Sequence, residues 1–405
     1  MTQASDLPLA YLDHAATTPM YPEVIEAMAA QLAHLGNASS LHGSGRAARR
    51  VVEESRETIA AAVNARPSEV VFTSGGTESN NLALKGFAWA RRASDSRRVR
   101  IVSTSIEHHA TLDPLRWLSD AEGFRVELIP VDRAGIVDVD ALTQTIGDDP
   151  DSVALISVMW ANNEVGSFQP LDAIAGVARS HGIPLHTDAV QAMGQVPVDF
   201  AKAGVDAMTI TGHKIGGPYG VGALVLGREA EVTPLLHGGG QERDVRSGTL
   251  DPPAIVGFAL AAELAVKGQA DRAEALAGLR RQLVRGILDI VPDAILNGPV
   301  DDAKRLPGNA HLSFPGCEGD SLLMLLDAQG IECSTGSACS AGVPQASHVL
   351  LAMGCDDAAA RSSLRFSLGH TSTAEDVRRV IDAIGPAVRR ARAAGAVSGT
   401  EAGEP

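Results

Sequence analysis

Short runs of consecutive apolar residues punctuate the first two thirds of the chain. They are Val70 to Phe72, Ile101 to Ser103, Val153 to Val158, Ile183 to Leu185, Ala207 to Ile210 and Ala223 to Leu226. A strand with one wet face alternates polar and apolar residues, whereas an unbroken apolar run marks a strand covered on both faces. Helical spacing precedes and separates the runs. The earliest instance is Arg49 to Val63, with Val52, Ile59 and Val63 on one side and charges between. This pattern predicts a mostly parallel sheet sheathed by helices, an α/β architecture. Ahead of it, Tyr11 to Pro19 reads as a short extended piece entering a turn.

Near residue 265 the texture changes. Asp271 to Ile290 is a long helical pattern, with Leu276, Leu279, Leu283 and Ile287 in register. Shorter mixed segments follow, then a helix over Ala374 to Arg392. A domain boundary is expected near 265. Ala393 to Pro405 carries Ala, Gly, Ser and Glu with nothing to bury, and is expected to be disordered.

The chain has 405 residues, enough for two domains. A net charge of −15 argues against a nucleic-acid surface, which needs clustered Lys and Arg. The longest apolar stretch, Ala254 to Val266, contains Glu263 and is too short to span a bilayer. The N-terminus shows no basic-then-apolar leader, and the four cysteines have neither Cys-x-x-Cys nor zinc-finger spacing. These features point to a reducing, cytoplasmic setting, with no membrane, nucleic acid or resident metal.

Several polar residues fall just after the buried runs. Thr73-Ser74-Gly75-Gly76-Thr77-Glu78-Ser79 follows the first and is expected to open a helix at Asn80. A glycine turn at a helix N-terminus can cradle a phosphate, or be a plain capped turn. Asp188 follows Ile183 to Leu185, and could hold a pyridinium nitrogen protonated or cap a helix. Lys214 follows Ala207 to Ile210, and is either a Schiff-base lysine or a solvated charge. Phosphate loop, aspartate and lysine each follow a separate strand, and ligands in such sheets gather at strand carboxyl ends. Glu107-His108-His109 and Asn162-Asn163-Glu164 take similar places: an imidazole there could stack on a ring, and an asparagine could bond its oxygen. Arg365, between Leu364 and Phe366, suits a carboxylate or a structural ion pair.

Ser334-Thr335-Gly336-Ser337-Ala338-Cys339 sets a cysteine among small and hydroxylated residues, a loop composition. Cys317, Cys333 and Cys355 read as small buried hydrophobes. A cofactor lysine together with a loop thiol suggests chemistry at the sulfur of an amino acid.

These motifs resemble the cysteine desulfurases, pyridoxal-phosphate enzymes. The resemblance is carried by Tyr11 to Pro19, Gly36 to Ser40, Thr73 to Asn81, Glu107 to His109, Asn162 to Gly166, His186 to Gln191, Gly212 to Lys214, His237 to Thr249, Ser334 to Cys339 and Arg365 to Gly369. It implies a three-layer pyridoxal-phosphate transferase fold. A large domain (15–264) would hold a mostly parallel sheet. A smaller α+β domain (1–14 and 265–392) would carry the Cys339 loop, and 393–405 would be a disordered tail.

It also implies roles. Lys214 would form the Schiff base, and Asp188 would pair with the pyridine nitrogen. Gln191 and Asn163 would contact the ring or its oxygen, and His108 would stack on it and move protons. Gly76, Thr77, Thr211 and His213 would bind the phosphate, with Thr249 reaching the phosphate of a partner subunit in a homodimer. Arg365, helped by Asn163 and Asn37, would hold the substrate carboxylate. Cys339 would take sulfur from L-cysteine as a persulfide, leaving alanine. The long-loop branch passes that sulfur to an iron–sulfur scaffold or to tRNA-thiolation proteins, so Cys339 would meet a nascent cluster transiently. The chain ends soon after its last helix, where some relatives extend further to dock the scaffold. Selenocysteine cleavage and transamination are the alternatives on the same fold.

Overall fold

The computed structural model describes residues 9–147, 149–336 and 346–401. The chain opens with β1 (Ala10–Tyr11), α1 (Pro22–Leu32) and α2 (Gly43–Ala62). Strands and helices then alternate: β2 (Val70–Thr73), α3 (Gly76–Ser94), β3 (Arg100–Thr104), α4 (His109–Glu122), β4 (Arg125–Ile129), α5 (Val139–Gly147), β5 (Val153–Ser157), α6 (Leu171–Ser180), β6 (Leu185–Asp188), α7 (Phe200–Ala203), β7 (Ala207–Thr211) and β8 (Gly222–Leu226). After α8 (Pro252–Val266) and α9 (Gln269–Ile290) come β9 (Ile295–Leu296), β10 (Asn309–Ser313), α10 (Gly319–Asp327), β11 (Ile331–Glu332), α11 (His348–Ala352), α12 (Asp357–Arg361), β12 (Ser363–Ser367) and α13 (Ala374–Glu401).

Seven strands form one sheet in the order β2-β8-β7-β6-β5-β3-β4. Only β8 runs antiparallel to its neighbours. Successive residues of these strands enter different cores. Phe72, Val102, Ile156 and Val225 pack on one face, with helices α2, α6 and α8. Val71, Ile101, Leu155 and Leu224 pack on the other, with α3 and α4. Both faces are therefore dry, which is why the runs do not alternate. The result is the expected three-layer α/β arrangement.

A further core gathers β1, β10 and β12 with α9, α10 and α13. Its three-stranded sheet has the order β12-β10-β9, while β1 pairs in parallel with β11.

Four expectations shift. The strand expected at Ile183 to Leu185 runs instead over Leu185–Asp188. Its polar His186 is tolerated inside the sheet because Ser157 Oγ (2.9 Å) and Thr209 Oγ1 (3.0 Å) satisfy both ring nitrogens. Helix α3 begins at Gly76 rather than Asn80. Gly75, at φ +147°, turns the chain abruptly, and Glu78 closes the first turn by accepting the Ser74 N–H at 2.7 Å. β4 was not anticipated, because its burial is shallow and Arg125 and Glu127 interrupt it. The last helix runs on to Glu401, through part of the stretch expected to be disordered.

Candidate cofactor and substrate site

Five parallel strand ends open into one cavity of about 420 Å³. Gly76 and Thr77 follow β2, His108 follows β3, Asn163 follows β5, Asp188 ends β6, Thr211 ends β7, and His213 and Lys214 follow it. Gln191 lies just beyond Asp188, and Arg365 of β12 closes the space from the second core. All of these predicted residues line the same cavity.

The Lys214 Nζ donates to the carbonyls of Ala15 (2.6 Å) and Ala16 (2.5 Å). Gln191 Nε2 donates to the same Ala15 oxygen at 2.9 Å. Burial, aided by Arg365, pulls the lysine down from 10.5 to about 8, against Asp13 and Asp188. Such an amine has a large neutral, nucleophilic fraction near pH 8.

Asp188 is buried and fixed at both oxygens. Oδ2 accepts from Asn80 Nδ2 at 2.7 Å, and Oδ1 from the Val190 N–H at 2.9 Å. His108 caps α4, its Nδ1 accepting the Ala110 N–H at 3.0 Å. In the neutral ring the hydrogen is therefore assigned to Nε2. The protein around it lowers its pKa even though the ring is open to the cavity; Asp188 opposes that shift and Lys214 adds to it. His213 stacks on Tyr219 with centroids 5.6 Å apart, and burial, then Lys214, pull it to about 4. It is neutral at pH 7.

The turn into α3 is tightly built. A Cβ on Gly222 would come within 2.8 Å of Gly75 Cα, so β8 packs directly on the turn. The 19-residue α3 presents its N-terminus to the cavity through Gly76 and Thr77. Thr211 supports the opposite side, its hydroxyl donating to Val221 O at 3.2 Å.

Arg365 is anchored by two long-range contacts. Nη2 donates to Asp13 Oδ1 at 2.7 Å, and Nη1 to Asn163 O at 3.1 Å. Its Nε is buried without a partner among the described residues. Asn163 thus touches the arginine through its main chain.

Two predicted residues lie elsewhere. Asn37 is exposed, and its Oδ1 accepts the Ser39 N–H at 2.8 Å. Thr249 is exposed as well, and neither lines the cavity of its own chain. The segment carrying Thr249 is tied to α3 by Arg246, whose Nε donates to Glu78 at 2.7 Å. Cys339 lies outside the described residues. Gly336, three positions earlier, lines the cavity. Burial pushes the other thiols, Cys317, Cys333 and Cys355, upward, away from the reactive thiolate form.

The residues missed are those that support others. Asn80 fixes Asp188, and Asp13 pairs with Arg365. Asn80 sits inside the Thr73–Asn81 run, so a search for partners of the strand-end aspartate could have found it. Asp13 sits inside Tyr11 to Pro19, but nothing in its spacing relates it to Arg365, 352 residues away. Glu164 and His348 also line the cavity, unassigned.

The site fits a phosphorylated pyridine aldehyde. It offers an amine bonded only to carbonyls, a fixed buried carboxylate, a helix N-terminus for a dianion and an imidazole face. Asn80 Oδ1, buried and without a partner among the described residues, adds an acceptor beside Asp188.

Comparison with known proteins agrees. Residues 10–380 match the family model "Aminotransferase class-V". An "IscS-like cysteine desulfurase" of Mycobacterium tuberculosis is 58% identical over 95% of this chain and 98% of its own. "Cysteine desulfurase IscS" of Dictyoglomus turgidum is 43% identical over 94% and 95%. A solved "NifS-like protein" superposes with a TM-score of 0.87 at 36% identity, covering 95% of this chain and all of that one. The chain belongs to the pyridoxal-phosphate-dependent class-V aminotransferase family and, within it, to the cysteine desulfurases.

Proposed function

We propose that the protein converts L-cysteine to L-alanine and carries the sulfur away as a persulfide on Cys339. One observation supports this above others. An amine, a fixed carboxylate and a carboxylate-binding arginine converge on a cavity whose edge is Gly336, three residues before Cys339.

Pyridoxal phosphate, when bound, supplies an electron sink for the bonds at the substrate's α-carbon. Thr77, the Gly75-Gly76 turn, Thr211 and His213 would hold its phosphate, and Asp188 would face its ring nitrogen. Lys214 would be the amine that links the cofactor, and Lys214 or His108 would take the α-proton. His108 would cover the ring face. Arg365 receives the substrate carboxylate through its free Nε edge, kept in place by Asp13 and the Asn163 carbonyl. A thiol is a weak nucleophile until it loses its proton, so Cys339 acts as the thiolate.

A homodimer completes the site, with Thr249 and Asn37 contributing across the interface. In this reading 15–264 forms the cofactor domain, and 1–14 with 265–392 the domain that brings Arg365 and Cys339. Sulfur passes to an iron–sulfur scaffold or a tRNA-thiolation protein, in the cytoplasm. No helix among the described residues is long and apolar enough to cross a membrane.

The deciding experiment measures alanine and persulfide from L-cysteine for the wild type and Cys339→Ala. Both products from the wild type and neither from the variant support the assignment. Undiminished alanine and sulfide from the variant would sink it.

A further inference from the structure

His348, the first residue of α11, and Glu164, in the loop after β5, line the cavity without any role above. His348 Nε2 lies 2.9 Å from the main-chain oxygen of Glu107. A carbonyl only accepts, so Nε2 carries the hydrogen and Nδ1 of the neutral ring holds a lone pair. That Nδ1 stands 4.0 Å from Glu164 Oε1.

Glu164 cannot turn away. It is 2% exposed, and its other oxygen accepts the Ser347 hydroxyl at 2.5 Å. Ser347 is itself committed to capping α11, accepting the Leu350 N–H at 3.1 Å. The other groups facing His348 are imidazoles and a second carboxyl. His109 meets it edge-on with centroids 5.2 Å apart and leans on Asp113 at 3.3 Å. His108 stands beside His109, centroids 6.5 Å apart. Behind them Glu107 is fully buried, and burial holds its carboxyl up at about 8.

Nδ1 is thus the ring nitrogen free to take a hydrogen, and a carboxyl side chain that cannot swing away stands beside it. A base beside a fixed carboxyl group, itself oriented by a third group, is the arrangement that activates nucleophiles. No set of three or more potential ligands among the described residues could hold a metal, so the cluster points to proton transfer.

We propose that His348 is the base that takes the proton of the attacking thiol, with Glu164 as its positioning residue. The inference rests on the desulfurase reading. The thiol proton moves to His348 Nδ1, and the thiolate pair forms the new S–S bond to the substrate sulfur. The C–S pair remains on the substrate carbon, which takes up a proton to become the alanine methyl group. The imidazolium gives its proton back, so the step needs no outside oxidant or reductant.

The test follows alanine formation by His348→Gln holoenzyme across pH. At neutral pH, kcat falls about a hundredfold. The deficit shrinks to a few-fold near pH ~9, where a thiol of pKa ~8.5 ionises unaided. Cofactor absorbance and KM for L-cysteine stay at wild-type values. Glu164→Gln, which can still accept from Ser347, shows a smaller deficit of the same shape. A deficit equal at every pH, or none, overturns the inference, because a mere anchor of α11 would behave that way. If glutamine disturbs the fold, His348→Ala with added imidazole decides: recovered turnover supports the base, and no recovery overturns it. A wild type that makes no alanine sinks the desulfurase reading itself, whereas a flat deficit in an active enzyme sinks only the role of His348.

Discussion

On the cavity floor, Asp188 and Lys214 end two adjacent parallel strands, and their positions follow from the sheet alone. On the facing wall, Arg365 is held by Asp13 and the Asn163 carbonyl, 352 and 202 residues away in sequence. The floor is one element repeated, with each polar group delivered by its own strand. The wall is assembled around Arg365 from three other segments, because Ser334 also exchanges main-chain hydrogen bonds with it. The difference separates jobs. In the function proposed above, the floor would hold what stays bound, and the wall what must come and go.

The sharpest way to break that comparison is Lys214→Ala. Lysine here bonds only to the carbonyls of Ala15 and Ala16 and belongs to none of the hydrophobic cores. The variant should fold, lose the borohydride-reducible cofactor linkage and fall in turnover by more than about a thousandfold. A retained linkage would show that the floor is not the covalent site.

Arg365→Lys tests the wall. A lysine keeps the charge but loses the planar fork that serves Asp13, Asn163 and a carboxylate together. KM for L-cysteine should rise about 10- to 100-fold, from the 1.5–3 kcal/mol typical of a charged hydrogen bond, with kcat within a few-fold. A fall in kcat at unchanged KM would place Arg365 in the chemistry instead of in binding.

Asn80→Ala separates the two regions again. It removes the 2.7 Å bond that fixes Asp188 and touches nothing on the wall. Cofactor affinity should drop about tenfold and the cofactor absorbance should shift, while KM for cysteine in the loaded enzyme holds. Titrating apoprotein with pyridoxal phosphate reads the first effect directly.

The same contrast explains what could be read from the chain. The floor was legible because buried apolar runs declare strands, and polar residues just past them declare strand ends. Even there, His186 to Asp188 was assigned to the loop. A buried histidine breaks an apolar run, and nothing local reveals that Ser157 and Thr209 will satisfy it. β4 escaped because a sheet-edge strand keeps charged residues such as Arg125 and Glu127. The wall was read only as the isolated Arg365. Its support by Asp13, and the clasp of Glu164 on Ser347, join segments that sequence spacing does not relate.

The smallest expected effect concerns stability in mild acid, and it reaches both regions. Burial pulls His186, in the floor sheet, to about 3, His311 on β10 to about 3, and His14 beside the wall to about 4. Each stays neutral in the folded protein at pH 6.5, whereas in the unfolded chain it is half protonated at its ordinary value of about 6.5. The unfolded state thus binds more protons, and stability is full above pH 6.5 and falls as the pH drops toward 4. By linkage each histidine removes a fraction of a kcal/mol at pH 6.5, and about 1 kcal/mol more over the next unit of acid. Denaturant midpoints at pH 7.5, 6.5 and 5.5 measure the slope. His186→Gln and His311→Gln should each flatten it by close to one proton, whatever they do to stability at neutral pH. An unchanged slope in His186→Gln alone would mean that the floor opens to solvent in acid before the wall does, so that the strands delivering its polar groups do not keep them dry.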